Sequence, residues 1–417
     1  MSTTTPPIET SDAAPAVAAP TGETLGEYGR RWWAGVKTGD LGSLPIIAGL
    51  VIIAIVFQSQ NENFLTAGNF VNLMVQGAAY ALVAMGIVFV LLLGEIDLSV
   101  GFVSGVAGVI VALLTFPDGH NVFAAGPTLV IALAAGAGIG LLQGTIITKV
   151  GVPSFVVTLA GLLGWNGAVL LLIGDRGTVI IQNAFFVGFA NDFLPKATAW
   201  ILVIAAVAVY AGALLWERIQ RKRAGLATDP DVLLGLRVAG LALAAIVVVY
   251  VANQDRGIPY VFLLLTVVYI FWTWVLARSR FGRHVYAVGG SAEAARRAGI
   301  NTDRVRVACF AICSMMAALG GIVLASRLRS VDTAAGGGTI LLYSIAAAVI
   351  GGTSLFGGRG HIKSAVLGAL VIASIDNGLG LLGLSSGTKF VITGLVLLAA
   401  VTVDSFSRRG RAQAGRA

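Results

Sequence analysis

The chain has 417 residues, 57% hydrophobic and 12% charged, with a mean hydropathy of +0.89. Soluble domains carry about 25% charged residues, so this composition excludes an ordinary water-soluble fold and makes lipid the solvent of its surface. The net charge of +8 sits in short segments beside apolar runs, which is how membrane orientation is set, so membrane lipid is expected as a partner and nucleic acid is not.

In chain order, Met1–Asp40 is rich in Thr, Pro and Ala and is expected to be a disordered cytoplasmic tail without a signal peptide. Arg30, Arg31, Trp32 and Trp33 suit an interfacial anchor ahead of the first apolar run. Twelve apolar runs follow, near Leu41–Phe57, Phe70–Leu93, Leu98–Leu114, Thr128–Thr148, Phe155–Ile173, Ala199–Leu215, Leu236–Val251, Val261–Leu276, Val305–Leu324, Ile340–Leu355, Ser364–Leu382 and Phe390–Val403. Alternating them from a cytoplasmic N-terminus puts Lys149, Glu217–Arg223, the Arg-rich stretch Ser279–Arg306, Arg359, Lys363 and Arg408–Arg411 inside, with Arg327 and Arg329 as outside exceptions. The expected fold is therefore all-α and polytopic, with about twelve transmembrane helices and both termini cytoplasmic. Residues 41–404 form its membrane domain and 405–417 a basic cytoplasmic tail.

Several residues stand out inside these runs. Gly136, Gly140 and Gly144 are spaced for close helix contact, not for a nucleotide loop, which needs a preceding strand. Cys309 and Cys313, four apart on one helix, fit packed thiols better than a disulfide. Gly94–Gly101 and Gly351–Gly358 share G-x-x-x-L-x-x-G, a faint internal echo. Glu95 and Asp97 lie in a very short connection. Asp97 could cap a helix starting at Leu98 while Glu95 faces water, or both could belong to a broken-helix element lining a pathway. Asp376 and Asn377 lie deeper, as pathway-facing groups or as interhelical hydrogen-bond partners. His120, His284 and His361 fall in or beside loops, with no metal-ligand spacing, and there is no GxxxxGK[ST], so neither a metal nor a cofactor is expected.

Ser279–Arg306 holds six Arg, one Glu and one Asp. Its interior is expected to form a short helix. Ser291 caps the start, Glu293 suits the positive end of the dipole and pairs with Arg297, and Gly299 supplies a left-handed stop. Thr302 is expected to cap the next helix. Ala292, Ala294, Ala295 and Ala298 give small side chains on which another surface could seat. The competing reading is a solvated connector with ordinary positive-inside charge.

The wording of Phe281–Asn301 (FGRHVYAVGGSAEAARRAGIN) resembles the EAA-type coupling loop of ABC importer permeases of the ribose/xylose branch. Gly94–Gly101 (GEIDLSVG), Val152–Leu163, Asp255–Pro259 (DRGIP), Ile350–Gly358 (IGGTSLFGG) and Asp376–Gly378 resemble the same branch, so the likeness covers about Asn69–Ser405. That resemblance implies a permease without its own ATPase site, carrying a monosaccharide, D-xylose or a similar pentose or hexose. The partners it implies are a cytoplasmic ATP-binding subunit docked on Ser291–Gly299, an extracellular or periplasmic sugar-binding protein and a second permease copy. Rival classes are an ion-coupled secondary sugar transporter, for which Asp376 is the one clear mid-membrane ionisable group, and a membrane-embedded enzyme, for which no catalytic constellation is visible.

Overall fold

The computed structural model describes residues 26, 29–30, 33, 43–117, 123–226, 228 and 230–413. Most of the expected Met1–Asp40 tail, with Arg31 and Trp32, and also His120, lie outside the described residues. So do the side chains of the basic C-terminal stretch.

Each of the twelve apolar runs is helical over most of its length, although several run past the helix ends, Ile340–Leu355 by five residues. The helices are α1 (Leu44–Gln60), α2 (Ala67–Leu92), α3 (Val100–Leu114), α4 (Ala125–Thr145), α5 (Ser154–Ile173), α6 (Ala184–Asn191), α7 (Lys196–Arg223), α8 (Asp231–Asn253), α9 (Tyr260–Arg278), α10 (Arg280–Gly290), α11 (Ala292–Arg297), α12 (Thr302–Leu328), α13 (Ile340–Ile350), α14 (Ile362–Leu381) and α15 (Ser386–Gln413). Among the described residues, eight are long and apolar enough to cross a membrane. Three elements were not expected. They are α6, the amphipathic α10, and an antiparallel ribbon of β1 (Thr178–Ile180) and β2 (Ser330–Asp332), a small departure from all-α. The basic C-terminal stretch, expected as a tail, begins inside α15, which continues as helix to Gln413.

The chain divides into two compact units. One contains Ile201–Val247, most of α7 and α8, which joins the Glu217–Arg223 run to the start of α8 through an ion pair of Arg218 with Asp231. Within the membrane domain expected over 41–404, Ile201–Val247 thus belongs to a unit of its own.

The other unit, Gly39–Trp200 with Val248–Ala417, is built around α2, which is apolar on every side and buried along nearly its whole length. The α12 helix crosses α2 antiparallel. A Cβ added at Gly86 would meet the Cys313 carbonyl at 2.8 Å, and one at Gly320 would meet the Ala79 carbonyl at 3.1 Å. On its other side α12 receives α4, and here the glycine spacing works as expected. A Cβ at Gly136 would stand 2.8 Å from the Ser314 carbonyl and one at Gly144 2.9 Å from Val307 Cα.

Both long helices continue into a non-helical link and then a short helix. The 26-residue α2 passes through 93–99 into the 15-residue α3, and the 27-residue α12 passes through 329–339 into the 11-residue α13. Eleven residues rise only about 16 Å, half of a hydrocarbon core, so the run Ile340–Leu355 supplies a half-helix where a full span was expected. The 15-residue α3 rises about 22 Å, also short of a full crossing. Because α2 and α12 are antiparallel, these two half-helices are related by inversion, and their N-termini meet. A Cβ at Gly101 would lie 2.7 Å from the Gly336 carbonyl and 3.2 Å from Leu341 Cβ. This inverted pair replaces the G-x-x-x-L-x-x-G echo, whose second copy follows a half-helix where the first precedes one.

Contacts between helix ends sort into two groups. One holds Glu95 with Arg306, Lys149 Nζ 3.7 Å from Asp303, and Tyr286 Oη donating to the Gly360 carbonyl at 2.8 Å. The other holds Asn61 Nδ2 donating to the Leu381 carbonyl at 2.9 Å, Arg256 Nη2 donating to Asn72 Oδ1 at 2.7 Å, and the β1–β2 ribbon. Every pair joins segments that the alternation places on the same side.

Candidate functional site

The short helix in the Arg-rich stretch forms for the expected local reasons. Ser291 Oγ accepts from Ala294 N at 3.2 Å, and Arg297 Nε donates to Glu293 Oε1 at 3.1 Å. Gly299 has φ +82, and the Ile300 N–H bonds the Ala295 carbonyl while the Gly299 N–H bonds that of Arg296, a Schellman stop. Two details differ from expectation. Asn301, not Thr302, caps α12, its Oδ1 accepting from Arg304 N at 2.9 Å. Ala295 points into the protein core at 4% exposure, while Ala292, Glu293, Ala294, Arg297 and Ala298 face outward. The outward face is therefore Ala294 and its neighbours, because α11 itself needs one apolar anchor to lie against the bundle.

The Arg-rich segment packs backbone against backbone on the end of α2 and on the connection 351–361 that follows α13. Gly289, at the end of α10, would place a Cβ 1.8 Å from the Leu92 carbonyl and 2.9 Å from Gly358 N. The Gly358 N–H in turn donates to that same Leu92 carbonyl at 2.8 Å. Gly94 and Gly357, at φ +74 and +85, turn the two flanking chains at this point, and both conformations favour glycine. Three segments distant in sequence thus share one contact, with no side chain between them.

From that contact the link 93–99 climbs along α12. Glu95 does not face water. It is 12% exposed and receives a charge-assisted bond from Arg306 Nε at 2.5 Å. Two turns further along α12, about 10 Å of rise, Asp97 lies beside Cys313 at 2% exposure. Its Oδ1 accepts from Ser99 N at 2.9 Å and Ser99 Oγ at 2.6 Å, so Asp97 closes a local turn, and α3 begins at Val100, not Leu98. Ser99 Oγ reaches Gln143 Oε1 of α4 at 3.1 Å. Asp97 Oδ2, Gln143 Nε2 and Trp165 Nε1 are buried without a hydrogen-bond partner, a polar cluster inside the bundle.

A second cluster lies towards the opposite end of α2. Gln76 Nε2 donates to Asp376 Oδ2 at 2.5 Å, and Asn69 and Asn377 exchange amide bonds at 2.9 and 2.8 Å. Both Asp376 and Asn377 therefore join α14 to α2, and both keep partial exposure. The Tyr80 and Tyr343 rings meet edge to face at 5.4 Å, and Tyr343, at the start of the half-helix α13, stands beside Asp376 and Thr393. Carboxylate, amide and two phenols converge there, and of the four residues Asp376 alone keeps partial exposure.

The sequence reading missed Arg306 as the partner of Glu95, and missed Gln76, Tyr80, Gln143 and Tyr343. Gln76 and Gln143 carried a signal, since an amide in an apolar span needs a partner or a cavity. Gly289 carried none, because its value lies entirely in what approaches it.

Residues 69–401 match a family model described as "Branched-chain amino acid transport system / permease component". The chain is 35% identical over 381 residues to the xylose transport system permease protein XylH of Escherichia coli (strain K12), covering 90% of this chain and 95% of that protein. It is 34% identical to XylH of Haemophilus influenzae, covering 88% and 96%, and 30% identical to the ribose import permease protein RbsC of Escherichia coli (strain K12), covering 90% and 97%. No solved structure matches the chain.

Proposed function

The chain belongs to the family described as branched-chain amino acid transport system / permease component, and we propose that it is the membrane subunit of an ATP-driven importer of a monosaccharide, D-xylose or a similar pentose or hexose. The likeness over nine-tenths of the chain to permeases named for xylose and ribose supports this reading. The partners are a cytoplasmic ATP-binding subunit, a sugar-binding protein on the outer side and a second copy of the permease. About twelve membrane elements, two of them half-crossings, run with both termini in the cytoplasm, and the sorting of helix-end contacts supports that alternation. Cys309 and Cys313 are fully buried, so single probes at exposed His284 and Asp175 can be read against a silent background. His284→Cys labels from the cytoplasmic side and Asp175→Cys from outside; labelling from one side would refute the alternation.

The site that handles sugar is the Gln76, Tyr80, Tyr343 and Asp376 cluster. Its carboxylate and amide can accept and donate to vicinal hydroxyls, and its rings can face the sugar's C–H surface. The inverted half-helices alongside it match where discontinuous helices bring substrate sites in other transporters. Asp376→Asn keeps an acceptor for Gln76 but removes the charge, so uptake into vesicles carrying the full complex falls at least tenfold with insertion unchanged, a loss in the range of about 1.5–3 kcal/mol for a charged hydrogen bond. Unchanged uptake by both Asp376→Asn and Asp376→Leu would remove this residue from the pathway.

The ATP-binding subunit docks on the outward face of α11. Ala294→Trp blocks that seat without touching the core, whereas Ala295→Trp would disrupt packing inside the permease. Gly299→Val meets no neighbouring atom, so its penalty is the left-handed backbone alone, about 1 kcal/mol or more. Co-purification of the ATPase measures both: Ala294→Trp abolishes it and Gly299→Val weakens it. Full retention by Ala294→Trp would leave the segment a mere connector.

A further inference from the structure

Away from the translocation cluster and the coupling face, a cleft of about 450 Å³ opens between the ends of α9 and α10 and the start of α14. Its mouth carries Arg283, His361 and Lys363. No described carboxylate pairs with either Arg283 or Lys363, and the contact recorded for Arg283 is a long one to the Arg278 carbonyl, 3.5 Å. The first backbone N–H groups of α14 open at the same place. His361 sits at its N-cap with extended backbone and gives no side-chain cap. The Ser364 N–H is taken by the His361 carbonyl, which leaves the N–H groups of Ile362 and Lys363 and the positive end of the dipole for an anion. Burial, and then the Lys363 ammonium, hold the His361 imidazole below its ordinary value. Tyr286 fixes the rim through its bond to the Gly360 carbonyl.

The far part of the cleft is different in kind. Its wall is one side of α9, from Ala277 down to Tyr269, with Leu276 beside it. That length is about 12 Å of helix rise into a membrane span. Within this wall Thr273 Oγ1 is buried and has no hydrogen-bond partner. On the same helix Trp274 is 59% exposed, at the level an interfacial aromatic would occupy. A free phosphate would fill the mouth and leave the wall empty. A ligand with an anionic head and an apolar tail fills both.

We propose that this cleft binds an anionic phospholipid of the cytoplasmic leaflet, its phosphate held by Arg283, Lys363 and the α14 N-terminus and its acyl chain lying along α9. Basic pockets between membrane helices on the cytoplasmic side are the usual sites for such headgroups. The proposal rests on the topology proposed above, which puts these helix ends in that leaflet, but binding in detergent does not depend on orientation. The two can therefore fail separately, the topology at the cysteine probes and the site here.

The test uses the full-length permease in detergent, titrated with dioctanoyl phosphatidylglycerol, dioctanoyl phosphatidylcholine or inorganic phosphate, and read by native mass spectrometry and thermal shift. Phosphatidylglycerol binds at one saturable site and raises the melting temperature; phosphatidylcholine and phosphate do not compete with it. Arg283→Gln and Lys363→Gln each weaken it about fivefold, in line with the contribution of one basic residue near an anionic headgroup. Arg280→Gln, on the same exposed segment but outside the cleft, leaves it unchanged. Equal binding of phosphatidylcholine, or equal retention by Arg283→Gln and Lys363→Gln, would mean annular lipid only and overturn the proposal. Binding of inorganic phosphate as tight as that of the lipid would overturn it in favour of a soluble-anion site.

Discussion

Gly289→Ala abolishes coupled sugar uptake, at least tenfold, while Gly290→Ala beside it leaves uptake intact. The two glycines are chemically identical and adjacent, so any difference is steric. A Cβ at Gly289 would fall 1.8 Å from the Leu92 carbonyl oxygen and 2.9 Å from Gly358 N, whereas one at Gly290 meets nothing within 4 Å. The obstructing atoms are backbone, so no rotamer change relieves the clash, and α10 must move off. That displacement parts the 2.8 Å bond between Gly358 N and Leu92 O, which ties the end of α2 to the α13–α14 connection beneath the Arg-rich segment. Overpacking of this kind costs about 1–3 kcal/mol, and a rigid backbone neighbour puts Gly289 at the upper end. Vesicle uptake, sugar-stimulated ATP hydrolysis in the full complex and the melting temperature of the permease measure the three consequences. If Gly289→Ala matches Gly290→Ala in all three, the backbone junction carries no coupling.

The second large effect belongs to Glu95 and Arg306. The pair is mostly removed from water, at 12% and 29% side-chain exposure. Removing one partner strands the other charge, and for fully buried pairs that costs about 3–5 kcal/mol. Arg306 keeps some access to solvent, so about 3 kcal/mol is expected for Glu95→Gln or Arg306→Gln. The double variant should recover part of that, because it buries no unpaired charge. Thermal unfolding of the four proteins gives the coupling energy directly. Additive losses in the double variant would show that the contact contributes nothing as a pair. Transport should fall further than stability alone accounts for, since Glu95 anchors the link that carries Asp97 to its buried position beside α12.

The local chemistry of α11 was legible because it depends on neighbours in sequence: Ser291 reaches Ala294, Glu293 reaches Arg297, and Gly299 turns the chain. The side of α11 that faces the bundle was not, since Ala294 and Ala295 are the same residue type and only packing distinguishes them. Glu95 could be marked as costly inside an apolar region, but not paired, because its partner lies 211 positions away. For Asp376, the unusual residue was visible, but the cluster around it was not.

By itself the sequence determined that this is a helical membrane protein, which segments are apolar, where its basic loops fall and which family its motifs resemble. Those properties follow from solvation and from hydrogen bonds within a few residues. Tertiary structure decided which apolar runs are half-helices, that they form an inverted pair meeting at Gly101 and Gly336, and that Gly289 packs against both the end of α2 at Leu92 and the α13–α14 connection at Gly358. A run such as Ile340–Leu355 is apolar enough to cross either way; where it stops depends on the space left by α2, α14 and α15, and no residue in the run encodes that space alone.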